Sequence, residues 1–326
     1  MIRPASLLPR LCAALLLACG TAVAAPQAPP ASHAPQAVIV DTDFGSDIDD
    51  AFAIALVLAS PGLEPLLFTA SQGDTALRAR LLRRFLDAGG RPDLPVAAGP
   101  AGPGDDSPVT QGEWAATETR ASPDAVAALL DTLRAAPARH IVLLALGPLT
   151  TVDAALQRDP ATFARLRKVV LMGGSIRRGY GDQAGTNSET PGAEYNVKLA
   201  PAALRRLLAS GVAVEMLPLD ATEVALPAGL QAAVFAAATP WARPLSQLYP
   251  LWAARSPWGT VPTLFDVVPV ARLLDPGVCT PVPMHVAVAD DGMTRPAPGR
   301  ANAGVCLDVD RARVLALLRR ALVPAP

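Results

Sequence analysis

The sequence predicts an α/β fold, a doubly wound and mostly parallel open sheet in a single domain. Three observations carry that prediction. Short apolar runs alternate with helical patterns in a βαβ rhythm. The runs have few polar interruptions, as expected of strands buried on both faces. The first run, Ala37–Asp41, leads directly into a dense group of carboxylates, and the carboxyl edge of a parallel strand is where open α/β sheets build their sites. Crossovers between such strands are right-handed.

In chain order, residues 1–25 read as a secretory signal peptide. Arg3 and Arg10 give a positive start, Leu11 to Ala18 an apolar core, and Ala22-Val23-Ala24 a small-residue cleavage site. The apolar run is too short to span a membrane as a mature helix. A lipoprotein signal ending on Cys19 ranks second, because Leu17 fits it poorly. An exported protein, periplasmic or secreted, is therefore expected. Residues 26–36 form a Pro/Ala-rich extended linker, and residues 37–326 the domain, long but acceptable for one large α/β sheet.

Within the domain, Ala37–Asp41 is the first strand and Asp49–Ala59 the first helix, opened by acids that suit the helix dipole. Glu64–Ala70 leads to a helix over Thr75–Ala88, with Asp74 in N-cap position. Leu94–Ala98 precedes a helix over Pro123–Ala135, and Ile141–Leu146 precedes one over Leu149–Gln157. Val169–Met172, a helix over Pro201–Ala209 and Val212–Leu217 follow. Past Leu226 the pattern turns helical. Val282–Ala289 and Ala303–Val309 are additional strands, and Asp310–Leu322 is the last helix. The connections Pro100 to Ala121 and Gly173 to Glu194 are long and Gly-rich. Both follow strands, so both lie on the edge of the acids, and loops of this length are usually functional or disordered.

Bulk properties narrow the function classes. A net charge of −1 without a basic block argues against nucleic acid or an anionic membrane as partner. No second run approaches 18 apolar residues. Cys279 and Cys306 lie in the mature chain of an exported protein, where a disulfide and two buried thiols both remain open. Neither cysteine has zinc-ligand spacing.

The segment from Asp41 to Asp50 carries five carboxylates, with no Lys or Arg before Arg78. Acids packed this closely repel one another unless a cation or hydroxyls neutralise them. A divalent metal with oxygen ligands is the favoured explanation. A solvated turn that caps the helix near Asp49 would need only one or two of the five.

Six segments in order make the chain resemble the nucleoside hydrolase family, calcium-dependent enzymes that cleave the N-glycosidic bond of ribonucleosides. They are Asp41-Thr42-Asp43-x-Gly45 with Asp49-Asp50-Ala51, Gly73-Asp74, Leu146 to Thr150, Val169 to Gly174, Glu194-Tyr195-Asn196 and Leu264-Phe265-Asp266. The resemblance implies Ca²⁺ held by Asp43, Asp50, Asp266 and the backbone carbonyl of Leu146, an all-oxygen set better suited to Ca²⁺ than to Mg²⁺. It implies Asp43 as general base on a metal-held water and Asp49 on a ribose hydroxyl. Asp74 would lie nearby, with a helix N-cap an equal alternative. Glu194 and Asn196 would take the outer ribose hydroxyls from one side of an extended segment, with Met172 beneath the sugar. Asp41 supports the loop, and Asp47 belongs to a two-residue expansion of the motif. A small ribonucleoside substrate and a homo-oligomer follow from the same resemblance.

The departures concern the leaving base. Phe265 stands where some relatives place a His acid, and His33, His140 and His285 are not well placed to replace it. Trp114 and Phe265 are candidates for stacking on the base, which points to a purine preference. Ala200 replaces an Asp that looks like a helix cap. Two other classes remain. Asp41-x-Asp43 after a strand also resembles haloacid dehalogenase-type phosphatases, but Lys168 and Lys198, the only lysines, lack the required context. The other is an exported nucleoside- or calcium-binding protein on a non-catalytic hydrolase scaffold.

Overall fold

In the strand Gln36–Thr42 (β1), Val38 and Val40 pack into one apolar layer and Ala37 and Ile39 into another, and all four are buried. A strand buried on both faces belongs in the middle of a sheet covered by helices on either side. The computed structural model has that architecture; it describes Met1, residues 34–102 and residues 108–324. The expected signal peptide, and the expected linker as far as His33, lie outside the described residues. Gln36, assigned to the linker from sequence, is instead the first residue of β1.

The later strands are Leu63–Ala70 (β2), Val96–Ala98 (β3), Val142–Ala145 (β4), Lys168–Met172 (β5), Gly179–Tyr180 (β6) and Asn187–Ser188 (β7). Val214–Leu217 (β8), Val282–Met284 (β9), Val286–Val288 (β10), Thr294–Pro296 (β11) and Ala303–Val305 (β12) complete the set. Eight of them form the central sheet in the order β3-β2-β1-β4-β5-β8-β12-β9. Every neighbouring pair is parallel except β12 with β9. The segment expected as one strand over Val282–Ala289 is divided. β9 joins the sheet edge, and β10 pairs with β11 in a separate hairpin. Asn302 holds the break, donating from its backbone to Met284 and accepting Val286 N–H on its side chain at 2.8 Å.

The helices are Asp49–Ala59 (α1), Thr75–Ala88 (α2), Ala125–Ala135 (α3), Thr150–Arg158 (α4), Pro160–Phe163 (α5) and Tyr195–Leu199 (α6). Pro201–Ala209 (α7), Leu219–Thr222 (α8), Ala228–Ala236 (α9), Ala242–Ala253 (α10), Val267–Leu274 (α11) and Arg311–Leu322 (α12) follow. Helices α1, α2 and α9 to α12 bury their apolar faces with Val38 and Val40. Helices α3, α4, α5 and α7 do so with Ala37 and Ile39. Ala200 precedes α7 without a side-chain capping bond, as its side chain dictates. Cys279 and Cys306 are joined in a disulfide, with Cα atoms 5.9 Å apart. Among the described residues no helix is long and apolar enough to cross a membrane.

From β1 the chain winds outward through β2 to β3, then returns to β4 on the opposite side of β1. The strand order therefore reverses between β1 and β4. In doubly wound sheets the crevice at such a reversal, outside the carboxyl ends of the strands, is the ligand position. The acid segment leaves β1 at that point.

Candidate active site

After β1 the chain turns through Gly45 at φ +112°, a conformation that L side chains rarely adopt. A Cβ at this glycine would also lie 2.5 Å from Leu81 Cδ1. The turn brings Asp43, Asp47, Asp49 and Asp50 to the wall of a cavity of about 720 Å³, within the usual range for small-molecule sites. Asp41 points elsewhere. It is fully buried, accepts Thr69 Oγ1–H at 2.5 Å, and its backbone carbonyl accepts Leu146 N–H at 2.7 Å. Burial pushes its carboxyl up to about 7. These bonds tie β1 to β2 and to the end of β4 rather than to the acid loop that it was expected to support.

Asp266 enters from the start of α11. It stands in the N-cap position but makes no side-chain capping bond, so capping is not what its carboxylate does. Its backbone N–H donates to Asp49 Oδ2 at 3.0 Å across 217 residues of sequence. Asp49, Asp50 and Asp266 each place a carboxylate oxygen within 4.8 Å of the others. Burial first, and then repulsion among neighbouring acids, raises all three well above the ordinary carboxylate range. Thr42 donates to Asp50 Oδ1, and the N-termini of α1 and α11 add favourable dipoles. Three converging hard oxygens fit a divalent cation of the calcium or magnesium type. The grouping differs from the one the resemblance implied, because Asp49 rather than Asp43 converges with Asp50 and Asp266. Asp43 lines the same cavity and raises the carboxyls of all three.

Leu146, at the end of β4, also lines the cavity, and its carbonyl accepts Asn196 Nδ2–H at 2.7 Å. The following residue is glycine for a steric reason. A Cβ at Gly147 would fall 2.8 Å from both the backbone nitrogen and Oδ1 of Asp43, so a larger residue would push Asp43 or the β4 turn out of place.

Arg78 is a cation that the sequence reading placed too far away to matter. It is 1 % exposed and lies beneath the acid loop. Its guanidinium donates to the carbonyls of Gln72, Asp43 and Phe44 and to Ser46 Oγ. Its charge also moderates the rise at Asp50. The first long loop completes the cradle, with Thr110 Oγ1 donating to Ser46 O and Gln111 Nε2 to Asp47 O, both at 2.7 Å. The i+3/i+4 pattern of α2 gave no sign of this role, since it marks Arg78 only as one of several buried positions of the helix.

Glu194 and Asn196 line the cavity with Met172, but not as alternate residues of an extended strand. Glu194 is the N-cap of α6, and its oxygens accept the backbone N–H groups of Gly174, Asn196 and Val197 at 2.8–3.0 Å. Burial nevertheless raises it to about 7. Asn196 fixes the carbonyls of Leu146 and Met172. A polar residue followed by a helical stretch was the available signal for the cap.

Two expected substrate contacts are corrected. Asp74 is exposed, does not line the cavity, and caps α2 by accepting Leu77 N–H at 2.9 Å. Trp114 is also outside the cavity wall. It is buried, donates to Gln247 Oε1 at 3.2 Å, and carries the Arg84 guanidinium over its ring at 4.7 Å. It anchors the loop that supports Asp47. Phe265 does line the cavity, edge-on to Tyr180 at 5.9 Å. Sequence reasoning missed Tyr180, Glu223, Trp252 and Trp258, which also line the cavity. Lys168 is paired with Glu215 at 2.7 Å, and neither it nor Lys198 reaches the cavity, so the phosphatase reading lacks its lysine.

A family model described as inosine-uridine preferring nucleoside hydrolase matches residues 38–316. The pyrimidine-specific ribonucleoside hydrolase RihA of Salmonella agona is 30% identical over 320 residues, covering 87% of this chain and 97% of that protein. An uncharacterized Schizosaccharomyces pombe protein is 33% identical over 199 residues, covering 57% of this chain and 61% of its own length. Among solved structures, a plant nucleoside hydrolase shares the fold with a TM-score of 0.77 at 23% identity, covering 89% of this chain and 100% of that one.

Proposed function

The chain belongs to the inosine-uridine preferring nucleoside hydrolase family, and we propose that it hydrolyses the N-glycosidic bond of ribonucleosides through Asp43 and a Ca²⁺ ion. The observation that carries this reading is the convergence of Asp49, Asp50 and Asp266 beside Asp43, in one cavity at the sheet's reversal point. The ion would be held by Asp50, Asp266 and the Leu146 carbonyl together with Asp49, which converges with the two carboxylates, and with Asp43, the further ligand that the resemblance implies. When bound, it supplies Lewis acidity to a water and anchors sugar hydroxyls.

The chain's own residues do the rest. Asp43 takes the proton of the attacking water as C1′ becomes oxocarbenium-like, and the surrounding carboxylates stabilise that positive charge. Asn196 positions the Leu146 carbonyl, Glu194 holds the β5 turn against α6, and Met172 packs beneath the sugar. The aromatic outer wall, with Phe265 and Tyr180, supports a stacked base, and a bicyclic purine gains more from that wall than a pyrimidine. An exported location is part of the same proposal, supported by the leader features and by the disulfide, which persists in oxidising compartments.

The test is release of free ribose from a panel of purine and pyrimidine nucleosides, with and without a calcium chelator. Turnover that chelation abolishes and added Ca²⁺ restores is expected, with purines preferred. A protein that binds nucleosides without turnover at any Ca²⁺ concentration would instead be a binding scaffold.

A further inference from the structure

The chain after α8 runs antiparallel to the segment that leads into Asp266. Leu264 N–H donates to Val224 O at 2.7 Å and Leu226 N–H to Pro262 O at 2.9 Å, while Ala225 bridges Thr263. Carried two residues further, this register sets Glu223 opposite Phe265, on the same face. Both residues line the cavity, and Glu223 is 3% exposed. Its carboxylate accepts the backbone N–H of Gly181 in the turn between β6 and β7. Glu223 thus stands where the end of α8, the hairpin and the approach to Asp266 meet, at the aromatic end of the cavity. Neither His140 nor His285 lines that cavity.

We infer that Glu223 is the acid that protonates the departing base, an inference that rests on the ribonucleoside hydrolase reading. The C1′–N bond breaks with its electron pair going to the base. The Glu223 carboxyl proton passes to a ring nitrogen or carbonyl oxygen of that base. Hydroxide from the attacking water joins C1′, and the other water proton goes to Asp43. Solvent then reprotonates Glu223 and deprotonates Asp43, so the net reaction is nucleoside plus water to ribose and neutral base.

Such an acid must hold its proton near neutral pH. Burial raises Glu223 to about 7, against smaller opposing effects from the Gly181 N–H and from Arg311 of α12. From the hairpin, Tyr180 and Asp182 share the cavity wall. The Tyr180 hydroxyl accepts Tyr195 N–H at 3.1 Å. Within α8, Asp220 is engaged by the backbone N–H groups of Ile176 and Arg177.

The experiment compares Glu223→Gln with the wild type on inosine and uridine, whose bases need a proton to leave, and on 4-nitrophenyl riboside, whose leaving group departs as a stable anion. Gln still accepts the Gly181 N–H but has no proton to give. The expected result is a loss of about 100-fold or more in kcat on nucleosides, with less than about threefold on 4-nitrophenyl riboside. Equal losses on both substrates, or no loss on either, would overturn the inference. The wild-type pH profile decides the matter without a variant. Nucleoside turnover should decline above about pH 7 as Glu223 ionises, while 4-nitrophenyl riboside turnover should not. A decline shared by both substrates, or absent from both, removes Glu223 as the acid. A wild type inactive on every riboside sinks the hydrolase reading itself, and the inference with it.

Discussion

The inner and outer ends of the cavity are made of different material. At the inner end, most acids stand at the end of a regular element: Asp43 after β1, Asp49 and Asp50 in the first turn of α1, Asp266 at the start of α11, with Asp47 in the loop between β1 and α1. Their positions are set by the sheet and its packed helices, and Arg78 and the 108–116 loop brace them from below. The outer end is assembled from the β6–β7 hairpin and the 257–265 segment, with Tyr180 and Trp258 about half exposed. In the proposed reading, chemistry that tolerates little displacement sits on the rigid scaffold, and recognition of a variable base sits on loops.

Substitutions should therefore act differently at the two ends. The largest effect is expected from Asp43→Ala, which should lower kcat by about 10³-fold or more while the protein stays folded; steady-state kinetics on nucleosides reads it. A fall of less than tenfold would show that the inner end does not depend on this carboxylate.

Next comes Arg78→Met, which removes a buried cation and leaves several loop carbonyls without their donor. It should cost about 3 kcal/mol in denaturant unfolding. A cost under 1 kcal/mol would mean that the acid loop keeps its shape unaided.

The inner acids also predict how stability depends on pH. Asp41 and Glu194 are raised from 3.8 and 4.5 to about 7, chiefly by burial, and the Asp49-Asp50-Asp266 group is raised as well. Groups with raised folded values hold protons that the unfolded chain has already released. The stability they contribute is thus fully present below about pH 4 and is lost as pH rises through about 7. The Tm of chelated protein should fall across that window, and added Ca²⁺ should restore it most at the upper end. A Tm indifferent to both pH and Ca²⁺ would argue that the acids are neutralised from within the chain.

Two tryptophans separate the regions more gently. Trp258→Ala, on the outer wall, should raise KM by about tenfold with little change in kcat. Trp114→Ala should instead leave the ratio of purine to pyrimidine turnover unchanged and cost about 2–3 kcal/mol of stability. A changed ratio in Trp114→Ala would return that residue to the base site. The smallest effect is expected for Asp74→Ala, about 1 kcal/mol of stability from a lost cap and no change in KM.

The inner end was legible because its residues come in short motifs tied to element ends. Asp43, Asp50, Leu146, Met172 and Asp266, which the resemblance singled out, line the cavity. Asp49 stands in the converging carboxylate group, where the resemblance had implied Asp43. The errors came where a residue had two local uses. Asp74 and Trp114 follow strands on the side of the sheet that the cavity does not reach, and a cap and a loop anchor satisfy them instead. The outer wall was nearly illegible. Glu223 faces the cavity only because residues 224–226 pair with 262–264, a contact that leaves no periodicity in either segment.

The sequence alone determined the alternating α/β order, the burial of β1 on both faces, and the crowding of acids where that strand ends, since each follows from local pattern and chain connectivity. Tertiary structure alone decided which acid meets which, how Arg78 reaches the loop, and which groups line the cavity's outer end. Those depend on contacts across as many as 217 residues, and only the packed sheet brings such distant positions within hydrogen-bonding range.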